Sequence, residues 1–265
     1  MSCDDRLVTL GRIIVGTAGW SIPRAVSGSF RGDGSHLERY SRVLDGAEIN
    51  SSFHRSHAPK TYERWAASTP ASFRFSVKVP RTITHDGELR RARPLIEQFL
   101  QETAALGPKL GALLVQLPPS LAYNARVAGS FFDILRARHG GPVVCEPRHP
   151  TWFEPAAERL LMTYRVSRVA TDPSRIVAAL QPAGWFGAED APGVVYYRLH
   201  GSPRKYWSRY SIERVRNWAS ELSSHVLTTD VWCIFDNTAS GAAIENAIEM
   251  TGALTVNRTG RDLPP

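Results

Sequence analysis

The chain of 265 residues carries 32 Lys and Arg against 25 Asp and Glu, a formal charge of +7, and its isoelectric point lies near 9.6. Hydrophobic residues make up 43% of it, which excludes a disordered chain and suits one large packed domain spanning 1–265. No apolar run approaches the ~18 residues of a membrane span, and MSCDDRLVTLGR (1–12) lacks the basic and apolar regions of an export signal, so a cytoplasmic protein without membrane contact is expected.

Short β-branched runs alternate with longer helical patterns along the whole chain, the mark of parallel βαβ units. RIIVGTAG (12–19) is followed by a predicted helix at 36–44, and GAEINSSF (46–53) by one at 60–68. FRFSVKVP (73–80) leads into an amphipathic stretch at 89–106, and LGALLVQLP (110–118) into a helix at 125–138. PVVCEPRH (142–149) precedes a helix at 155–164, and SRVATDP (167–173) a short one at 174–180. GVVYYRLHG (193–201) precedes a helix at 212–223, and DVWCIFDN (230–237) a last one at 241–251. Eight consecutive βα units are the count of an α/β protein with a single (β/α)8 TIM barrel, the barrel proper running from about 12 to 254. An open doubly wound sheet is the competing architecture, but GTAGWS (16–21) does not fit the GxGxxG turn such sheets place after their first strand.

Strands buried on both faces read as nearly continuous Val, Ile and Leu. These begin that way and turn polar at their C-terminal ends, where barrels of this kind hold their active sites. The ends carry Glu48 and Asn50, Lys78, Gln116, Glu146 and Arg148, Asp172, Arg198 and His200, and Asp236 and Asn237. Alternation with a period of two puts Glu48 with Asn50, Glu146 with Arg148, and Arg198 with His200 on shared faces. The barrel interior near its mouth is the cheapest place for such charges, because opposite charges and water are at hand. A buried ion pair without chemistry, such as Glu146 with Arg198, is the alternative reading of any one of them.

Loops extend the pattern. His85 follows strand 3 as an acid, base or ligand, or as a surface or capping histidine. His149 and Trp152 follow strand 5, and the loop at 202–210 is dense in cations and aromatics, including Tyr206 and Tyr210. That loop suits binding of a phosphate or a sugar, or simple cover for the barrel top. The densest basic cluster, Arg90, Arg91 and Arg93, reads as a solvated helix face at least as well as a nucleic-acid contact. Cys3, Cys145 and Cys233 show no CxxC spacing, and Cys145 and Cys233 read as small buried hydrophobes. No HxH, HExxH, GxSxG or Walker A spacing occurs, so no metal ligand set or cofactor is expected from local motifs.

GTAGWS, EINSSFHR, WAASTPASFRFSVKVPRTITH, KLGALLVQLPPS, VVCEPRHPTW, YYRLHGSPRKYWSRY and CIFDNTASGAAIENA occur in that order between about residues 16 and 247. In this the chain resembles the YecE-like family, domain of unknown function 72. The resemblance implies a TIM barrel of unestablished activity, and its landmarks fall on Glu48, Asn50, Lys78, His85, Gln116, Glu146, Arg148, His149, Asp172, Arg198, His200 and Asn237. The chain departs from the family at RAVSGSF (24–30), where a Gly-Phe-Tyr-Pro-like stretch is usual.

Three functions compete. In the first, an acid–base enzyme acts on a small anionic or sugar-like molecule. Glu48 or Glu146 exchanges protons with His200 or His85, and Lys78, Arg148 and Arg198 hold a phosphate or carboxylate; Lys78 is also a Schiff-base candidate. Asn50, Gln116, His149, Trp152, Asp172, Tyr206, Tyr210 and Asn237 complete the expected binding set. The second is a divalent-metal isomerase or phosphodiesterase using Glu48, Glu146, Asp172 and His200 as ligands, by analogy with xylose isomerase-like and endonuclease IV-like barrels. The third is a non-catalytic nucleic-acid binder.

Overall fold

The structure, a computed structural model, describes residues 11–188, 191–226 and 229–259; Cys3 lies outside them. Strands β1 (Ile13–Ala18), β2 (Gly46–Ile49), β3 (Arg74–Lys78), β4 (Leu110–Gln116) and β5 (Val143–Glu146) pair in parallel and in sequence. β7 (Val194–Leu199) pairs with β8 (Asp230–Phe235), and β8 returns to β1. The sixth strand, β6, is split at Val169. Its first segment, Val166–Arg168, pairs with β5, and its second, Ala170–Asp172, pairs with β7, which closes the (β/α)8 TIM barrel. The sequence predicts one strand there. The break lets β6 turn from one neighbour to the other, while Val169 N–H still donates to the Cys145 carbonyl at 2.9 Å.

Helices α1 (His36–Tyr40), α2 (Pro59–Ala67), α3 (Arg93–Thr103), α4 (Ala125–Arg136), α5 (Pro155–Thr163), α6 (Ile212–His225) and α7 (Ala242–Thr259) connect the strands. Their starts have local causes. Ser35 and Glu38 form a capping box on α1, Asn124 and Ser211 cap α4 and α6, and Pro opens α2, α3 and α5. Two expectations change. The helix anticipated at 174–180 is a single 3-10 turn, Val177–Leu180. The stretch anticipated at 89–106 becomes helical only from Arg93, because Glu88, Leu89 and Arg91 have left-handed backbones (φ 46°, 66° and 49°) that no helix accepts.

Strand alternation divides the apolar residues into two clusters. The larger one, including Val15, Ile49, Phe75, Val77, Leu113, Val115 and Phe235, lies between the sheet and the helices. The smaller one fills the barrel: Ile14, Ala112, Leu114, Val144, Val169, Val194, Tyr196, Trp232 and Ile234. Trp232 stacks on Tyr196 at 5.7 Å between centroids and takes the space that a side chain at Gly46 or Gly111 would need. Cys145 and Cys233 are buried, as expected, and burial pushes both thiols up. Among the described residues no helix is long and apolar enough to cross a membrane.

Gly16 marks the tightest strand contact in the first motif: a Cβ there would stand 2.1 Å from the Gly46 carbonyl oxygen, which is backbone and cannot move aside cheaply. Gly16→Ala is expected to destabilise the fold by at least ~1–3 kcal/mol, read from urea unfolding. An unchanged midpoint would contradict this close approach of β1 and β2.

Candidate functional site

Above the apolar filling, every strand but β1 presents its next inward residue as a polar one. Glu48, Ser76, Lys78, Gln116, Glu146, Thr171, Arg198, His200 and Asp236 are all buried. The centre is Arg198, two positions beyond Tyr196 on the same face of β7 and fully buried. Its Nε and Nη2 donate to both oxygens of Glu48, at 2.9 and 2.7 Å. Nη1 donates to Glu146 Oε2, and Nη2 also donates to Asp236 Oδ2 at 2.9 Å. One guanidinium thus meets three carboxylates, and Tyr196 adds a hydroxyl to Glu48 at 3.1 Å, itself joined to Ser76 at 2.6 Å.

His200 follows Arg198 on the same face. Its Nδ1 lies 3.0 Å from Asp236 Oδ2, and its Nε2, without a hydrogen-bond partner, faces Glu146 Oε1 at 3.4 Å. A carboxylate on Nδ1 favours the tautomer that carries its proton there and leaves the buried Nε2 as the lone-pair nitrogen. Arg148 donates to Glu146 Oε1 through Nε at 3.0 Å and to the Tyr206 hydroxyl through Nη2 at 3.0 Å. Tyr206, at φ 65°, leans its ring edge-on to His200 at 5.1 Å, so the loop after β7 folds over the mouth.

Burial raises the Glu146 carboxyl, but Arg198, Arg148 and His200 together outweigh it and hold the group well below the ordinary carboxylate range. Asp236 is likewise lowered, burial being overcome by Arg198, His200 and Lys78. Arg198 stays charged for the mirror-image reason: its three carboxylates overcome its burial. Lys78 is different. Its ammonium lies over the Phe53 ring, 4.0 Å from the centroid, and has no carboxylate at ion-pair distance among the described residues. Burial and the charge of Arg198 lower it to about 8, against the partial pull of Glu48, Glu146 and Asp236. Lys205 is lowered too, by burial and then by Arg148, and it also lacks a carboxylate at ion-pair distance among the described residues.

The remaining expected residues separate into two groups. Gln116 faces the mouth, its amide donating to the Leu117 carbonyl at 2.7 Å. His85 packs on Phe53 at 4.9 Å within a π-turn, Thr82–Asp86, and is lowered by burial and by Lys78, Arg81 and Arg148. Asn50 opens the turn after β2 with a buried Oδ1 that has no partner. His149 caps the turn after β5, its ring accepting from Thr151 N–H, so its local duty is structural.

Four others do not reach the mouth. Trp152 is buried in the outer core and donates to the Leu121 carbonyl. Asp172 lies one residue beyond Thr171, so parity turns it outwards, where it accepts from the Tyr210 hydroxyl at 2.9 Å and from Arg214 at 3.1 Å. Tyr210 and Asn237 both bind Asn246 of α7, at 3.0 Å each, and brace the loop from behind. Parity also decides between the two strand-end residues after β8: Asp236 follows Trp232 and Ile234 inwards, which leaves Asn237 outside. Lys205 carried no periodic signal, because it sits in a loop. The metal-ligand set of Glu48, Glu146, Asp172 and His200 is therefore not assembled, since Asp172 is outside and the oxygens of the two glutamates face Arg198 and Arg148. Among the described residues no three His, Cys, Asp or Glu side chains are grouped to hold a metal ion.

Residues 14–265 match the family described as protein of unknown function DUF72, and the chain belongs to it. UPF0759 protein YecE of Escherichia coli K12 is 33% identical over 64% of this chain and 62% of its own length, so the match spans under two thirds of that relative. UPF0759 protein YunF of Bacillus subtilis is 23% identical over 94% of this chain and 96% of its own length. The crystal structure of a DUF72 family protein from Enterococcus faecalis V583 superposes with a TM-score of 0.74 at 21% identity, covering 92% of this chain and 95% of that one. That likeness extends to the fold.

Removing Arg198 should be severe. Arg198→Met leaves three carboxylates facing one another in a dry barrel, and a loss of ~3–5 kcal/mol is expected at pH 7. In the native protein Glu146 and Asp236 titrate below their ordinary values, so their contribution holds above the unfolded carboxyl range and is lost only as pH falls through the depressed values. In the variant the orphaned carboxyls would take up protons earlier, so the deficit should shrink from pH 7 to pH 5. Urea unfolding at both pH values checks this, and an equal or negligible deficit would count against the three-carboxylate arrangement.

Proposed function

We propose that this member of the DUF72 family is an enzyme that binds a small anionic molecule, phosphorylated or carboxylated, at the C-terminal mouth of its barrel and performs acid–base chemistry on it. The observation that carries this reading is the pairing of charges. Glu48, Glu146 and Asp236 are committed to Arg198, while the ammonium groups of Lys78 and Lys205 have no carboxylate partner among the described residues. A site with its acids engaged and two cations free attracts an anion, and in a partly dry cleft that attraction is strong.

The roles follow from which polar atoms are already engaged. Glu48 is fully buried with both oxygens bonded, so it acts as a brace that fixes Arg198. Proton exchange falls to His200, oriented by Asp236, with Nε2 as the exchanging atom. Lys78, Arg148 and Lys205 hold the anion, and Tyr206 closes over it. Lys78 supports one further reading. An amine lowered to about 8 is partly neutral at physiological pH, which is the state that attacks a carbonyl carbon to form a Schiff base.

Anion binding is expected to depend on pH with a definite sign. Below about 8 Lys78 is charged and holds the anion; as pH rises through that value the charge is lost and affinity falls. Calorimetric titration with inorganic phosphate and with short carboxylates, from pH 6.5 to 9.5, should show weakening centred near pH 8, absent in Lys78→Met. Affinity that is flat across this range, or no binding of any anion, would reject the reading. Schiff-base chemistry has its own check. Borohydride in the presence of aldehyde-bearing phosphorylated sugars should add mass to the peptide containing Lys78, and an unmodified peptide would reject that chemistry alone.

A further inference from the structure

A second basic concavity lies outside the barrel, between the start of α3 and the face of α4. It has a volume of about 670 Å³, within the range of specific ligand clefts. Arg90, Arg91, Arg93 and Arg126 line it, all four exposed, and none is paired with a carboxylate among the described residues. Glu97 on α3 is bound by Arg138. The floor is aliphatic, made by Leu89, Pro94, Val127 and Ile134.

The approach to this groove is strained. Glu88, Leu89 and Arg91 have left-handed backbones within four consecutive residues, a conformation that costs on the order of 1 kcal/mol or more for each non-glycine residue. Leu89 is buried and anchors the stretch, while Arg90 and Arg91 are held outwards on it. A solvated helix face, the simplest account of this arginine cluster, does not apply, because Arg90 and Arg91 precede α3 and lie on non-helical backbone.

We propose that this groove is a docking site for an acidic amphipathic segment of a partner protein, whose Asp and Glu side chains meet the four arginines while its aliphatic side chains enter the floor. The aliphatic lining decides the class of partner. Surfaces that hold single-stranded nucleic acid interleave cations with aromatic rings for base stacking, and no aromatic residue lines this groove. Helix-in-groove recognition needs what is present: an apolar trough with charges along its rim. Guanidinium groups suit carboxylates in particular, since they grip them through two parallel bonds. The groove's lining shares no residue with the Arg198 network, and the proposal does not depend on the chemistry assigned to the mouth.

The test uses the full chain and a fluorescein-labelled 18-residue peptide with Leu at i, i+3, i+4 and i+7 spacing and Glu at the intervening positions. Fluorescence anisotropy should show saturable binding that weakens with salt and falls at least tenfold in Arg91→Glu/Arg126→Glu. Both side chains are exposed, so the variant should keep its unfolding midpoint, and phosphate binding at the mouth should be unchanged. Replacing the peptide leucines by serine should cost as much as the charge reversal. No binding, equal binding to the variant, or tighter binding of a labelled oligonucleotide at the same salt would overturn the proposal.

Discussion

Everything at the mouth follows from one side chain without solvent. A guanidinium buried in the middle of a barrel cannot lose its proton and cannot be left unpaired, since an isolated ion in such a place costs several kcal/mol. Arg198 is satisfied by Glu48, Glu146 and Asp236, drawn from β2, β5 and the end of β8. These strands are far apart in sequence, so the network forms only when the barrel has closed. It ties three sectors of the sheet to β7 at the level where the apolar filling ends.

That commitment sets what the other groups can do. A carboxylate bonded through both oxygens to a buried cation is a poor base, and this removes Glu48 and limits Glu146 despite their central position. Asp236 keeps a second duty through the oxygen it shares between Arg198 and His200. The lysines, by contrast, gain freedom: with the acids engaged, Lys78 is held by an aromatic face and lowered by its surroundings. Within one buried cluster, the atoms engaged by Arg198 are thus distinguished from those without a partner among the described residues, and pairing rather than burial distinguishes them.

The sequence made the barrel and the level of the mouth legible because both rest on periodicity. Eight apolar runs, seven of them with polar ends, read with a period of two, bring Glu48, Lys78, Gln116, Glu146, Arg198 and His200 inwards as expected. The same rule, applied from Trp232 and Ile234, selects Asp236 over Asn237, and from Val169 it turns Asp172 outwards. Asp172 was misread because a polar residue at a strand end was counted without its parity. Tyr210, Asn237 and Trp152 were misread for another reason: a loop residue has no period, and whether it covers the mouth or braces the loop depends on contacts with α6, α7 and distant turns. Lys205 was legible only as one cation of a basic loop, on the same ground.

Net charge was the weakest of the sequence signals, because it does not distinguish cations that are engaged from those that are free. Arg136 spends its guanidinium on four backbone carbonyls beneath the barrel, those of His139, Gly141, Tyr164 and Arg165. Arg198 serves the interior, and Arg209 and Arg214 are bound by carboxylates of α7 and β6. Such residues raise the isoelectric point without creating any attraction for a partner. Among the described residues, cations without a carboxylate at ion-pair distance include Lys78 and Lys205 above the Arg198 network and the arginines along the groove beside α3 and α4. The two surfaces proposed to attract anions therefore differ in their surroundings. One is enclosed by polar groups and suits a small ligand, while the other is floored by aliphatic side chains and suits a chain.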